Sequence, residues 1–227
     1  MLPGYLRAWE YCKQNFIENI IDSNHQVDIF VDTYDQMFRT DYDVRNENQL
    51  KVKKTEKEIV QLFYDLNVVS LSVEPEIIDG TFAEYLQIRK LRKIYNSVVE
   101  YEKQNGQYDL IIKSRPDLKL KSKLDYDLIY HNCSINPNLI IIPDNKTVNV
   151  GWCQNDLFAI AGRKAGDTYM KRFDVDEKYF KSNAVDAYYR GVHGTLSDLI
   201  NQGIVFDNTF QLILVRIDGN KNVIEVG

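Results

Sequence analysis

The residues of this chain that are best suited to chemistry stand directly after apolar, strand-like runs, directly before one such run, or at a glycine turn. Carboxylate oxygens are ligands for Mg²⁺ or Mn²⁺, whereas arginine side chains and the amides of a turn before a helix bind phosphate oxygens. Both kinds of group at one edge of a sheet would suit a phosphate-bearing, metal-assisted substrate. The candidate residues are Gly4, Arg7, Asp32, Asp35, Arg115, Asp117 and Asp156.

Helix-like and strand-like segments alternate through the first half of the chain. Helices are predicted over residues 6–21, 55–66 and 82–103, and strands over residues 27–31, 68–73 and 108–113. This order favours an α/β fold with crossover connections, a mostly parallel sheet and helices on both faces. Because ligands of such sheets bind beyond the carboxyl ends of the strands, we expect the candidates on one rim of one sheet.

The second half of the sequence is less regular. Strands are predicted over residues 139–142, 157–160 and 210–217, and helical segments over residues 164–173 and 197–201. Residues 36–54, in the first half, are polar and charged and are predicted to form a surface loop. We expect the later elements to form a smaller, acceptor-side annex on the sheet within a single domain.

Composition excludes several classes of protein. The 227 residues include 28 Lys and Arg against 33 Asp and Glu, a net charge of −5 that disfavours a nucleic-acid binder. Basic clusters such as residues 89–93 are interpreted as solvated helix faces. No apolar run approaches the ~18 residues of a transmembrane segment. Three cysteines without CxxC spacing fit neither a disulfide framework nor a zinc knuckle, so we expect a cytoplasmic protein, or one attached peripherally to a membrane.

Sequence motifs exclude several kinds of site, and four segments resemble the motifs of one protein family. The chain has no P-loop, no GxGxxG and no GxSxG motif. Four of its segments resemble, in the same order, motifs of lipopolysaccharide- and capsule-type glycosyltransferases of bacteria and large DNA viruses. Residues 4–10 resemble SGxLRTWE, residues 27–35 resemble VDIFIHTWD, residues 108–118 resemble YDxIIRxRPDL, and residues 155–161 resemble NDQFAIG.

This resemblance implies a GT-A-type fold, with a Rossmann-like nucleotide-sugar half (residues 1–118) beside an acceptor half (residues 119–227). It implies transfer of a sugar from a nucleotide-sugar donor to a hydroxyl group of a surface glycan or glycolipid, usually with Mn²⁺ (manganese) or Mg²⁺. By position, Asp117 matches the acidic motif that binds the metal and the diphosphate. Asp156 is expected over the acceptor as the general base. The donor-binding residues implied are Gly4, Arg7, Asp32, Asp35 and Arg115.

The chain departs from the family pattern in three places. Only residues 2–3 stand between Met1 and Gly4, where the family has a full apolar strand. The acidic motif lacks a second aspartate, so Asp125 and Asp127, which follow it closely, are weaker candidates for metal ligands. His193 stands where the family tends to have a glutamate and is a third weaker candidate, the alternative being a helix-start histidine bonded to backbone.

Two other functions stay open at this point. A transferase-like binding module without catalysis would also fit the shortened first strand and the incomplete acidic motif. A metal-dependent phosphoester hydrolase would use the same acidic rim.

Overall fold

The computed structural model describes residues 1–6, 8–39, 50–75, 83–143, 157–171, 199–200, 202–217 and 223–226. Its helices are α1 (Trp9–Ile20), α2 (Glu56–Gln61), α3 (Ala83–Asn105), α4 (Tyr126–Ile135) and α5 (Arg163–Lys171). Its strands are β1 (Leu2–Pro3), β2 (Ile29–Tyr34), β3 (Gln36–Arg39), β4 (Leu50–Lys53), β5 (Val68–Glu74), β6 (Leu110–Ser114), β7 (Leu118–Leu120), β8 (Leu139–Pro143), β9 (Phe158–Gly162), β10 (Val205–Phe210), β11 (Leu212–Ile217) and β12 (Val223–Val226). No helix of these described ranges is long and apolar enough to span a membrane.

The first half of the chain forms a parallel sheet in the order β5-β2-β1. The sheet continues from β1 to β6 through Met1, whose amino group donates to Ile112 O at 2.8 Å and whose carbonyl accepts from Ser114 N at 3.0 Å. These four strands therefore lie in the order third, second, first, fourth. In a doubly wound sheet this order places the topological switch point between β1 and β6.

Beyond β6 the sheet is mixed. Strand β9 pairs antiparallel with β6 and with β8, and β8 pairs parallel with β10. A separate antiparallel sheet joins β7, β11 and β12. The prediction of a parallel sheet is confirmed for β1, β2 and β5, and the second half adds antiparallel pairing. Because β6 pairs with β9, one sheet runs across residue 118, where the sequence divides the two predicted halves.

Helices cover both faces of the sheet, as predicted. Alternate residues of β2 point to opposite faces: Val31 packs in the cluster that includes Trp9 of α1, whereas Phe30 packs against Ile94 and Val98 of α3. The first face also carries α2 and α4, and the second also carries α5. The resulting structure is a layered α/β fold with a core on each side of the sheet.

Several elements differ from the predictions. Strands β3 and β4 pair antiparallel within the predicted surface loop over residues 36–54; each has four residues, too few for periodicity to reveal it. Helix α4 was not predicted, although Asp125 caps it by accepting from Leu128 N at 2.9 Å. The predicted strand over residues 210–217 is two strands, β10 and β11, separated at Gln211.

Candidate functional site

The candidate site lies at the switch point, where β1 and β6 end. Strand β1 is present despite its two-residue length, and Gly4 follows it with a φ of +97°, which favours glycine. Gly4 N donates to Asp32 O at 2.9 Å and thereby holds the turn against β2. Helix α1 begins at Trp9, and its N-cap residue, Ala8, makes no side-chain cap bond, whereas Tyr11 N and Cys12 N donate to Ala8 O at 2.9 and 3.1 Å.

The segment after β6 contributes a paired arginine and aspartate. Arg115 Nε donates to Asp117 Oδ1 at 2.9 Å, and Nη2 donates to Oδ2 at 2.7 Å, which makes the pair bidentate. Asp117 is 3% exposed. Arg115 N donates to Leu157 O at 3.2 Å, so the residue that follows Asp156 in the chain is tied to this segment.

A buried lysine of α3 binds the carboxyl ends of β2 and β5. Lys90 is 0% exposed, and its Nζ donates to Asp32 Oδ1 at 2.7 Å, to Glu74 Oε2 at 2.9 Å and to Thr33 O at 2.9 Å. The same Nζ lies 4.1 Å from the ring centroid of Tyr34. The interpretation of residues 89–93 as a solvated face is therefore wrong for Lys90, because this lysine points inward to two carboxylates.

The pKa values of the two carboxyl groups that Lys90 binds, those of Asp32 and Glu74, are shifted in opposite directions. Burial raises the pKa of Asp32, and the hydrogen bond and charge of Lys90 oppose that rise. Burial would also raise the pKa of Glu74, but hydrogen bonds from Lys93 and Lys90 outweigh it and lower the pKa to about 2. Lys93 Nζ donates to Glu74 Oε1 at 2.5 Å. Asp32 Oδ2 is buried and, within the described ranges, has no hydrogen-bond partner.

The other predicted residues fall into three groups. Asp35 continues the rim: its N donates to Glu74 O at 2.8 Å, and its Oδ2 lies 3.3 Å from Lys53 Nζ. Asp125 is the cap of α4, and Asp127 is exposed in the first turn of that helix. Three predicted residues lie outside the described residues, namely Arg7, Asp156 and His193.

The structure thus places predicted residues on both sides of the switch point and leaves their roles untested. Gly4, Asp32 and Asp35 lie on the β1–β2 side, and Arg115 and Asp117 lie on the β6 side. Lys90 and Glu74 were not among the residues predicted from the sequence. Their signal was present, since a glutamate ends the predicted strand over residues 68–73 and a lysine falls on the sheet-facing side of a long amphipathic helix.

The described residues do not fit a metal site held by the protein alone. No group of three or more His, Cys, Asp or Glu side chains suited to a metal ion occurs among them. Asp117 is the main predicted ligand, and both of its oxygens accept hydrogen bonds from Arg115. A cation at Asp117 would have to displace this guanidinium from at least one oxygen.

Comparison with known proteins adds little at the level of sequence. No family model matches the chain, and no curated protein matches it. A solved structure that is similar is that of a glycosyltransferase involved in the glycosylation of the major capsid of PBCV-1. The two chains are 12% identical, the match covers 67% of this chain and 70% of that chain, and the TM-score is 0.40. A likeness at this level does not identify a function.

Proposed function

We propose that this protein is a glycosyltransferase of GT-A type that moves a sugar from a nucleotide-sugar donor to a hydroxyl group of a glycan or glycolipid. The observation that carries the proposal is the switch point between β1 and β6. Ligands of doubly wound sheets bind at such a point, beyond the carboxyl ends of the strands. Here the Gly4 turn and the uncapped start of α1 lie on one side, and Arg115 lies on the other.

These groups are suited to the diphosphate of the donor. Amides at the start of a helix and an arginine guanidinium both bind phosphate oxygens. In the proposed reaction the acceptor oxygen attacks the anomeric carbon, and the bond from that carbon to the diphosphate breaks, leaving its electron pair on the diphosphate. Arg115 and Arg7 would stabilise the charge that develops on this leaving group. The proton of the acceptor hydroxyl would pass to a base, for which Asp156 is the candidate.

The proposed reaction does not depend on the metal ion that the sequence resemblance implies. Mn²⁺ or Mg²⁺ would supply further positive charge at the diphosphate. Because Arg115 occupies both oxygens of Asp117, no step of the proposed reaction is routed through a cation.

Thermal unfolding with a panel of nucleoside diphosphates, each with and without Mn²⁺, tests donor binding. We expect one nucleotide to raise the melting temperature, because a ligand that binds only the folded state stabilises it. The double variant Arg115→Met, Asp117→Asn removes both charges of the pair and should weaken nucleotide binding about 10- to 100-fold. Lys103→Met, on the exposed end of α3, is the matched control and should change nothing. The donor site is rejected if no nucleotide stabilises the protein.

The single variant Asp117→Asn separates the metal hypothesis from nucleotide binding. It should remove any Mn²⁺-dependent part of the stabilisation while Arg115 still binds the diphosphate. An unchanged Mn²⁺ effect would move the metal site away from Asp117.

One observation favours a binding module as the second candidate. The bidentate pair engages the very carboxylate that the resemblance assigns to the metal. Slow hydrolysis of the donor in the absence of acceptor would argue against this candidate. Release of free phosphate from phosphoesters, without sugar transfer, would instead indicate a hydrolase.

A further inference from the structure

Three basic side chains lie at the carboxyl end of β5, on the other side of β2 from the Gly4 turn. Lys93 Nζ donates to Glu74 Oε1 at 2.5 Å, and Arg89 Nη2 lies 3.5 Å from Glu74 Oε2. Lys53 Nζ lies 3.3 Å from Asp35 Oδ2, and the N–H group of Asp35 donates to Glu74 O at 2.8 Å. Together Lys53, Arg89 and Lys93 form the basic corner of the sheet.

The cations of the basic corner are more exposed than the carboxylates with which they pair. The side chains of Lys53, Arg89 and Lys93 are 76%, 36% and 40% exposed. Those of Asp35 and Glu74 are 15% and 22% exposed. A ligand that approaches this end of the sheet therefore meets ammonium and guanidinium groups before it meets carboxylates.

The charges next to this corner do not cancel. Lys90 binds both Asp32 and Glu74, and Glu74 also pairs with Arg89 and Lys93. Three cations therefore share two carboxylates, which leaves an excess of one positive charge in a chain whose net charge is −5. Arg89 Nη1 is buried and, in the part of the chain that the structure describes, has no hydrogen-bond partner. A rotation of this partly exposed side chain would offer that donor to an anion.

An aromatic ring lies on the same rim. The ring of Tyr5, the residue after Gly4, packs against the buried ring of Tyr34 at the end of β2, with centroids 4.6 Å apart and planes at 34°. Neighbouring strands lie about 4.8 Å apart, so the ends of β1 and β5 are about 10 Å apart. A flat ring followed by cations suits a chain of acidic sugars, because the ring packs against sugar C–H groups and the cations bind carboxylate or phosphate.

The headgroups of an anionic membrane are another ligand with this charge. Peripheral binding to a membrane also uses exposed apolar side chains. Among the described residues, the large exposed apolar side chains lie on or next to α1, α2, α4 and β10, and none lies on β2, β5 or α3. The surroundings of the basic corner therefore favour a glycan over a lipid surface.

We propose that the basic corner is a binding site for an acidic sugar of the glycan, with Arg89 and Lys93 as the residues that contact its carboxylate or phosphate group. This inference rests on the proposed function and assigns its acceptor to the acidic glycans. The corner lies outside residues 119–227, the half expected to bind the acceptor. It therefore holds a part of the glycan that is remote from the reacting hydroxyl group.

The test uses trigalacturonate with a fluorophore at its reducing end, and anisotropy follows its binding to the full chain at an ionic strength of about 10 mM, where screening is weak. The control ligand is the same trisaccharide with its carboxyl groups reduced to alcohols. We expect saturable binding of the acidic form and about tenfold weaker binding of the neutral form. The net charge of −5 opposes non-specific binding of an anion, so this preference would report local groups.

A second pair of ligands distinguishes the two kinds of anionic group. Labelled maltotriose and its phosphate ester show whether a phosphate is bound as well as a carboxylate. Preference for the acidic member of either pair supports the proposal. Equal binding within both pairs overturns it.

Variants of the basic corner locate the binding. Arg89→Gln combined with Lys93→Gln removes two cations and should weaken binding about three- to tenfold. Lys103→Gln, at the exposed end of the same helix, is the matched control and should leave the affinity unchanged. If the double variant does not fold, Lys53→Gln removes a mostly exposed charge and should weaken binding about twofold. Unchanged affinity in the folded variants overturns the proposal.

The melting temperatures with nucleoside diphosphates, measured in parallel, separate this proposal from the donor site. Stabilisation by a nucleotide without binding of an acidic trisaccharide overturns the glycan site and leaves the donor site standing, and the converse result rejects only the donor site. Displacement of trigalacturonate by a nucleoside diphosphate would assign the basic corner to the donor and overturn the proposal. Sedimentation with vesicles of phosphatidylserine and phosphatidylcholine, lost in the double variant and without trisaccharide binding, would overturn it in favour of a lipid surface.

Discussion

The buried ion pairs of Lys90 with Asp32 and Glu74 allow a specific prediction about stability. Its ammonium group bonds to Asp32, to Glu74 and to the carbonyl of Thr33, and the side chain is 0% exposed. Lys90→Met keeps most of the apolar stem and removes the charge. Asp32, 1% exposed, then keeps a carboxylate whose Oδ1 lies 3.9 Å from Lys93 Nζ.

The expected loss in the free energy of unfolding is about 3–5 kcal/mol at pH 7, the cost of removing one partner of a buried pair. Lys103→Met is the matched control, because Lys103 and Glu100 are 61% and 69% exposed although they also form an ion pair. That variant should lose no more than about 1 kcal/mol. Urea unfolding of both variants, followed by circular dichroism, gives the two values.

The pH dependence of the loss distinguishes an uncompensated charge from lost packing. Lys90 opposes the rise in the pKa of Asp32, so in Lys90→Met this pKa rises further above the unfolded value of 3.8. A carboxyl group with a raised pKa binds more protons when folded, so its contribution to stability falls as pH rises through the interval between the two values. The deficit of the variant should therefore be smaller at pH 4 than at pH 7. A deficit below 1 kcal/mol, or one that does not vary with pH, would refute the reasoning.

Two further predictions concern the same rim. The pKa of Glu74 is lowered from 4.5 to about 2, so Glu74 contributes stability above pH 4.5 that is lost as pH falls towards 2. In melting temperatures measured over this pH range, Glu74→Gln should therefore show a smaller fall than the unchanged protein. An equal fall in both proteins would contradict the prediction. Gly4→Ala should lower the free energy of unfolding by urea by about 1–2 kcal/mol. The loss comes from the φ of +97° alone, because no atom lies within 4 Å of the added Cβ. A loss below about 0.3 kcal/mol would show that the turn changes its backbone conformation to fit alanine.

The sequence was most informative where local signals are strong. The strands over residues 27–31, 68–73 and 108–113 are five or six residues long and mostly apolar, and each was found within three residues of its predicted bounds. The long helix α3 was found for the same reason. Short elements were not predicted. Strands β3 and β4 have four residues each, so their apolar positions are too few to show a period.

The residues that follow the strand ends could be predicted from the sequence, whereas their side-chain partners could not. Strand ends are readable from sequence, which is why Gly4, Asp32 and Asp117 were expected on one rim. Partners are not readable when they are distant in the chain: Lys90 and Asp32 are 58 residues apart. Arg115 and Asp117 are two residues apart, but only the structure shows that their side chains bond to each other.

Buried charged side chains, as well as turns, hold the rim of the sheet in place. Gly4 is held to β2 through the carbonyl of Asp32, and the side chain of that residue is held by Lys90. Lys90 also binds Glu74 at the end of β5, so one ammonium group links three strands of the switch-point sheet through two side chains and a backbone bond. A proposed donor site at this point would meet preorganised backbone, because the carboxylates beneath it are already neutralised by lysine. In the proposed function, the direct contacts to the diphosphate would fall to Gly4, the start of α1 and Arg115, and Asp32 would hold the turn through its carbonyl.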